Sequence, residues 1–373
     1  MRGGALRADK AGKDTMKQPV RIGIVGAGIF GLMHFRTFTQ MAKRGDVELV
    51  GFAELKDEQR KLRQEEFGVP GFASLGEMIE KAKPEAITIV TPDHTHRPVA
   101  LEAAAAGMHI LTEKPMDVTE EGCKEIIAAC EKAGVFLQVD FHKRYDPDHQ
   151  AAHEAVKAGK VGVPLYGQAH MEDRIEVPIE WFPQWAPNSS PAWFLGVHFF
   201  DVIRWIVGSE PVQVFATGSR KYLKEQFGVD TFDCVNAKID FANGCAFSFD
   251  VSWIIPRGFE AIVNQGCRIV GTQGLFEIDT QDRGTRACMD DGGMRTYNNN
   301  FFREFKDKLG ATWYGGYGIE SIEDFVYNVQ HVKEHGLDSR PAGVWADGFD
   351  GLQATRMAVG AHRSIEEKRV IAL

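Results

Sequence analysis

From Val20 onward, short apolar runs rich in β-branched residues alternate with stretches whose apolar positions recur at helical spacing. The runs at 20–26, 47–54, 86–91, 109–114 and 136–141 are predicted as strands, with helices between them. Local chemistry marks the helix ends. Ser74 with Glu77 forms a capping pair, Thr119 is an N-cap, and Asp146 caps a helix that begins on Pro147; Gly107, Gly134 and Gly159 sit where helices should stop. Such alternation predicts a doubly wound parallel sheet, because parallel strands need crossover helices.

Beyond about residue 160 the rhythm changes. Longer strands are predicted at 165–174, 212–220, 235–241, 244–254, 261–270 and 275–279, with Asn243-Gly244 as a hairpin turn between two of them. Helices are expected at 199–207, 319–334 and 349–368. The reading is an α/β Rossmann domain over 19–141 and an α+β domain over 142–373, the latter built on one large, mainly antiparallel open sheet. Such a sheet, with one face off the core, is expected to bury the other in a homodimer or homotetramer.

Composition narrows the function classes. The 373 residues are 44% hydrophobic and 25% charged, with a formal net charge of −9, so the basic surface that nucleic acid or anionic lipid would need is absent in bulk. No run approaches the apolar length of a membrane span. Six scattered cysteines without a C-x-x-C pair suit a reducing compartment, and a cytoplasmic location is expected. Residues 1–18 are polar and Gly-rich with no signal-peptide core; they read as a disordered tail, or as sequence upstream of a natural start at Met16.

The first strand runs into Gly26-Ala27-Gly28-Ile29-Phe30-Gly31, which opens a helix. In that context G-x-G-x-x-G has a physical reading: a tight turn at Gly26, backbone amides around Gly28, Ile29 and Phe30 open to a pyrophosphate, and close helix packing at the third glycine. Glu54 ends the next strand, where a carboxylate hydrogen-bonds ribose hydroxyls and repels a 2′-phosphate, so NAD is favoured. Lys56 and Arg60 keep NADP open as an alternative.

Three further motifs bring the chain close to a known family. Thr91-Pro92-Asp93-His94-Thr95-His96, Glu113-Lys114-Pro115, and Gly196-Val197-His198-Phe199-Phe200-Asp201 followed by Trp205 and Gly208 resemble, in this order, the signatures of the Gfo/Idh/MocA family of NAD(P)-dependent sugar and polyol dehydrogenases. The resemblance runs from about residue 21 to the C-terminus. It implies that Thr91, Pro92, His96, Glu113 and Lys114 line the cofactor, that Pro115 is often cis in relatives, and that Lys114 and His198 are catalytic. One departure stands out: four residues before His198, where many members carry an aspartate, this chain has Phe194.

Hydride transfer from a carbinol needs a base for the hydroxyl proton and a group that polarises the oxygen. His198 is the candidate base and Lys114 the candidate polarising group, with the opposite assignment still open. Asp201 could orient the imidazole or make an interhelix bond. Asp173 and Arg174 are candidates for hydroxyl recognition, or else an ion pair on a sheet edge; Arg144 and Tyr145 follow the last Rossmann strand and could reach the crevice. Trp181, Phe182, Trp185 and Trp193 lie in and just after a Pro-rich stretch (177–191) and could wall a sugar site, with Trp193 the candidate substrate contact, or pack against a second subunit. No metal is expected from His94 with His96, or from His149 with His153 near Asp146 and Asp148, because no closed ligand set completes either group.

The expected function is therefore NAD-dependent hydride transfer at a secondary hydroxyl or ketone of a sugar, inositol or sugar derivative. Two alternatives remain at this level: cleavage or rearrangement of a glycoside through a transient redox cycle on tightly bound NAD, and a non-catalytic NAD sensor.

Overall fold

Parallel strands can be joined only by crossovers, and residues 20–139 supply a helix after each of the first five strands. In the computed structural model, which describes residues 18–290 and 293–373, β1 (Val20–Val25) leads to α1 (Gly31–Arg44), β2 (Val47–Ala53) to α2 (Asp57–Phe67) and β3 (Gly71–Phe72) to α3 (Leu75–Ala82). β4 (Ala86–Ile89) leads to α4 (His96–Ala105), and β5 (His109–Thr112) to α5 (Glu120–Ala133), before β6 (Leu137–Val139) closes the sheet. All pairings are parallel, in the order β3-β2-β1-β4-β5-β6. The order reverses between β1 and β4, so a crevice opens over the carboxyl ends of the strands. The strands stop one or two residues short of the predicted ends, because the residues after the last ladder partner turn away to form that crevice. The expected tail, except for Gln18, lies outside the described residues.

The caps behave as their chemistry suggests. Ser74 Oγ accepts from Glu77 N at 3.2 Å, while the Glu77 carboxylate returns to Ala73 N rather than to the cap residue itself. Thr119 Oγ1 accepts from Gly122 N at 3.0 Å, and the Asp146 carboxylate accepts from Asp148 N at 3.1 Å.

The second region adds α6 (Pro147–Lys157), β7 (Pro164–Arg174), α7 (Val197–Val207), β8 (Pro211–Ser219), α8 (Tyr222–Phe227), β9 (Cys234–Phe241), β10 (Ala246–Ile255), β11 (Val263–Gly271) and β12 (Leu275–Asp279). Two small hairpins follow, β13 (Arg286–Met289) with β14 (Gly293–Thr296) and β15 (Arg303–Lys306) with β16 (Thr312–Gly315), and then α9 (Tyr317–His335), α10 (Gly348–Glu367) and β17 (Ile371–Ala372). The large sheet has the order β12-β11-β7-β10-β9-β8-β17; only β7 and β10 pair in parallel. Its inner face (Met171, Val214, Ile239, Phe249, Ile269) packs with α7 and α10 into one core. The Asn243-Gly244 turn is not the two-residue type: Phe241 N donates to Cys245 O, leaving 242–244 as a three-residue loop with Gly244 at φ 87°.

α9 crosses back to the first domain. Its Ile322, Phe325, Val326 and Val329 join Val20, Ile22, Phe35 and Phe38 in a second core, so it lies beside α1 on the Rossmann sheet. No helix among the described residues is long and apolar enough to cross a membrane.

α7 carries His198, and a buried ionic network fixes where α7 lies. Arg144 Nε and Nη2 donate to the two oxygens of Asp201 at 2.7 and 2.5 Å, and Nη1 donates to Asp350 Oδ2 at 3.1 Å and Trp345 O at 3.3 Å. Arg204 Nη1 donates to the other Asp350 oxygen at 2.6 Å and also holds Glu210 with two bonds. This corrects the expectation that Arg144 contacts substrate: its guanidinium is fully engaged inside the protein. Asp201 is likewise an interhelix anchor and not a partner of the imidazole. Arg144→Met would strand the Asp201 carboxylate in the core and is expected to lower the unfolding free energy by about 3–5 kcal/mol in urea titration; a loss below about 1 kcal/mol would give the network no more weight than a surface pair.

Candidate active site

The glycine turn is shaped by what surrounds each position. Gly26 has φ 101°, and a Cβ there would lie 2.4 Å from Val90 O. Nothing lies within 4 Å of a Cβ built on Gly28, so its surroundings are open, and α1 starts with no side-chain cap on its first amides. An open cradle beside uncapped amides fits a pyrophosphate. Glu54 accepts from Ala27 N at 3.0 Å and Lys56 N at 2.9 Å, which places its carboxylate at the rim of this turn. Arg60, kept open as a 2′-phosphate partner, is committed to Glu54 O and the Asp57 carboxylate.

The crevice is a cleft lined by Gly28, Ile29, Phe30, Thr91, Pro92 and His96, with Glu113 and Lys114 also among its lining residues. His96 ties two loops together: its ring nitrogens lie 2.7 Å from Pro115 O and 2.8 Å from Thr91 O. The Lys114–Pro115 bond is cis. Asp93 clasps the two domains, accepting from Trp185 Nε1 and Ser189 Oγ, each at 2.8 Å.

Lys114 points from the end of β5 into a nearly dry position. Its Nζ donates to Phe194 O at 2.9 Å and lies 4.6 Å from the centre of the Phe194 ring, so burial pushes the amine below the usual lysine range. Phe194 belongs to an aromatic wall with Phe30, Phe182, Trp185 and Trp253. His198 is buried and, like Asp173, is not among the residues lining this cleft; desolvation, then the Lys114 charge, holds its imidazole well below the ordinary value. Its Nδ1 has no hydrogen-bond partner among the described residues. A neutral imidazole beside a cationic or amine group can take a hydroxyl proton while the other polarises the oxygen.

Other expected contacts fall elsewhere. Successive residues of a strand face opposite sides, so only Asp173 of the Asp173–Arg174 pair is turned inward; Arg174 is ion-paired to Glu176 outside the cleft. Trp193 stacks on His362, with ring centres 5.4 Å apart, and lines a separate pocket with Ser190, Arg220 and Asp230. Neither Arg174 nor Trp193 lines the Lys114 cleft. Tyr145 OH donates to Asp324 Oδ2 at 2.6 Å. The histidines weighed as metal ligands have other partners: His149 Nδ1 lies 2.9 Å from Lys143 O, and His153 stacks on Trp205.

The sequence reading missed His142, whose ring centre is 4.7 Å from that of His198 and whose imidazole burial pushes down to about 3. Its place two residues beyond Asp140, after the last Rossmann strand, was a usable signal, since strand ends face the crevice. It also missed a cluster behind Lys114, where His34, Glu113 and Asp140 bring ligating atoms within 4.8 Å of one another. Burial, then the Glu113 charge, raises the Asp140 carboxyl well above its usual range. No sequence motif announces that cluster.

Family models match residues 20–141 as an oxidoreductase family with an NAD-binding Rossmann fold, and residues 149–277 as the GFO/IDH/MocA C-terminal domain. The chain belongs to the GFO/IDH/MocA oxidoreductase family. Among its GFO/IDH/MocA relatives, the myo-inositol 2-dehydrogenase of Thermotoga maritima is 25% identical over 95% of this chain and 98% of its own, and the inositol 2-dehydrogenase of Rhizobium meliloti is 26% identical over 95% and 99%. The crystal structure of myo-inositol 2-dehydrogenase from Lactobacillus plantarum shares the fold with a TM-score of 0.76 at 21% identity, over 95% of this chain and 99% of that one. The scyllo-inositol dehydrogenase of Lactobacillus casei, solved with NAD(H) and scyllo-inositol, gives 0.73 at 20% identity, over 95% and 99%. This GFO/IDH/MocA member is thus an NAD-dependent oxidoreductase.

Two outcomes follow from the geometry. Removing the Glu54 carboxylate with Glu54→Ser should relax discrimination against NADP, read as the ratio of NAD to NADP dissociation constants by fluorescence titration; an unchanged ratio would take Glu54 out of ribose recognition. The second concerns acid. An unfolded histidine gains a proton near pH 6.5, whereas folded His142 stays neutral until about 3, so stability is lost as pH falls below the unfolded value, by up to about 1.4 kcal/mol per unit for each such histidine. His142→Gln should flatten that dependence in urea unfolding across mildly acidic pH, and an unchanged slope would count against it.

Proposed function

We propose that this oxidoreductase moves a hydride between NAD and a secondary hydroxyl or ketone of an inositol or related sugar. The observation that carries the reading is Lys114 lining the cleft with neutral His198 buried beside it, in a chain that aligns over nearly its whole length with inositol dehydrogenases. Bound NAD supplies the hydride acceptor. His198 receives the hydroxyl proton, Lys114 polarises the oxygen, and the aromatic wall keeps water from the reacting carbon while offering flat apolar surface to the C–H face of a ring. Lys114→Ala and His198→Ala should each lose about 100-fold or more of turnover while keeping most NAD affinity, read by NADH absorbance across a panel of inositols and aldoses. A variant that holds near wild-type rate on a true substrate removes its residue from the chemistry.

Phe194 favours a second reading, since it sets a carbonyl and an aromatic ring, and no carboxylate, against the lysine. Under it, NAD stays bound and a glycoside is cleaved or rearranged through transient oxidation. That reading requires product formation with no net NADH, which chromatography of glycoside reactions at trace NAD distinguishes from dehydrogenation.

The open face of the large sheet exposes Tyr166, Phe215 and Leu275 among polar residues. Self-association as a homodimer or homotetramer through this face completes the proposal, and light scattering after size-exclusion chromatography of a Phe215→Lys variant tests it: a smaller particle than wild type supports the face, and an unchanged one excludes it.

A further inference from the structure

The segment that joins β7 to α7 supplies part of the cofactor cleft. Phe182, Trp185 and Phe194 line it together with Gly28, Ile29 and Phe30 of the glycine turn. The two sets meet, since the Phe30 ring lies edge-on to the Phe194 ring with centres 6.3 Å apart. A dinucleotide seated on the glycine turn therefore has this aromatic segment against it and must pass it on the way in and out.

Residues 182–189 are built to move as a piece. Their backbone amides bond only within the segment: Phe182 N to Val177 O, Trp185 N and Ala186 N to Phe182 O, Asn188 N to Trp185 O, and Ser189 N to Ala186 O. No sheet ladder is broken if they swing away, and of residues 182–188 only Ala186 is buried. Among the described residues, three hydrogen bonds tie the segment to other elements. Thr231 Oγ1 donates to Ser189 O at 2.6 Å, while Trp185 Nε1 and Ser189 Oγ donate to the two oxygens of Asp93, each at 2.8 Å. Two of the three thus end on one buried carboxylate, an acceptor that makes stronger bonds than a neutral oxygen. The Asp93 end is fixed: His96, in the same turn of chain, lies within hydrogen-bond distance of Thr91 O and Pro115 O.

We propose that Asp93 is the latch of a gate: residues 182–189 open and close the cofactor cleft, and the Trp185 and Ser189 bonds to Asp93 set how fast NAD enters and leaves. This rests on the reading above that the cleft holds NAD. The latch bonds are internal to the chain, so they resist opening whether the cleft is empty or filled. A latch of that kind slows entry and exit by the same factor and leaves affinity nearly unchanged, because it favours neither state of the cleft over the other.

NADH fluorescence in a stopped-flow instrument tests this, with entry followed on mixing NADH with the protein and exit followed on displacing it with excess NAD. Ser189 does not line the cleft, so Ser189→Ala removes a latch bond and no cofactor contact. It should raise both rate constants by about 10-fold and leave their ratio, the dissociation constant, nearly unchanged. Trp185→Phe keeps an aromatic ring on the wall and loses the Nε1 donor; it should do the same, and it carries the test if the serine variant does not fold. Faster exit with an unchanged entry rate would make these residues affinity contacts and overturn the gate, as would two unchanged rates. No polyol enters the measurement: a protein that shows the paired acceleration yet oxidises no inositol keeps the latch and loses the function proposed above.

Discussion

Taking the Lys114 amine out of water is the constraint to which the rest of the site answers. A buried ammonium costs several kcal/mol unless it is compensated, and the compensation here comes from several elements: the Phe194 carbonyl and ring, the Asp173 carboxyl, and the carboxylates behind β5. Each sits on an element whose position is fixed by something else. β5 is paired on both sides, by β4 and β6, in the Rossmann sheet, β7 is paired on both sides, by β11 and β10, in the large sheet, and α7 is locked by the Arg144–Asp201–Asp350 network. The low-dielectric setting that makes the amine costly also makes its interaction with a developing alkoxide strong.

Much of this was readable from residue order. Hydrophobic period, glycine stops and caps located the Rossmann elements, and the glycine turn with Glu54 located the cofactor end, because these features depend on local chemistry. The placements that failed depend on tertiary partners. Arg144 looks available in sequence, and only the arrival of Asp201 and Asp350, from 57 and 206 residues away, consumes it. Trp193 lies one residue from Phe194, yet it faces His362 and a different pocket. The short β13–β16 hairpins had no strong apolar alternation to announce them, and the acidic cluster at Glu113 and Asp140 joins segments with no shared pattern.

Asp93 links the two ends of the cleft in a way that local motifs do not reveal. The loop that carries Thr91 and Pro92 also grips Trp185 and Ser189 through this one carboxylate. The segment that presents cofactor-facing residues and the segment that carries the aromatic wall are therefore held in register by three polar groups, while His96 joins the same loop to Pro115.

The return of α9 to the first domain has a bearing on synthesis. During translation, residues 20–141 leave the ribosome long before Ile322, Phe325 and Val329 exist, so the face that α9 covers stays greasy until nearly nine-tenths of the polypeptide is made. The nucleotide-binding third is consequently a poor unit for excision or for grafting onto another scaffold, unless the late helix travels with it.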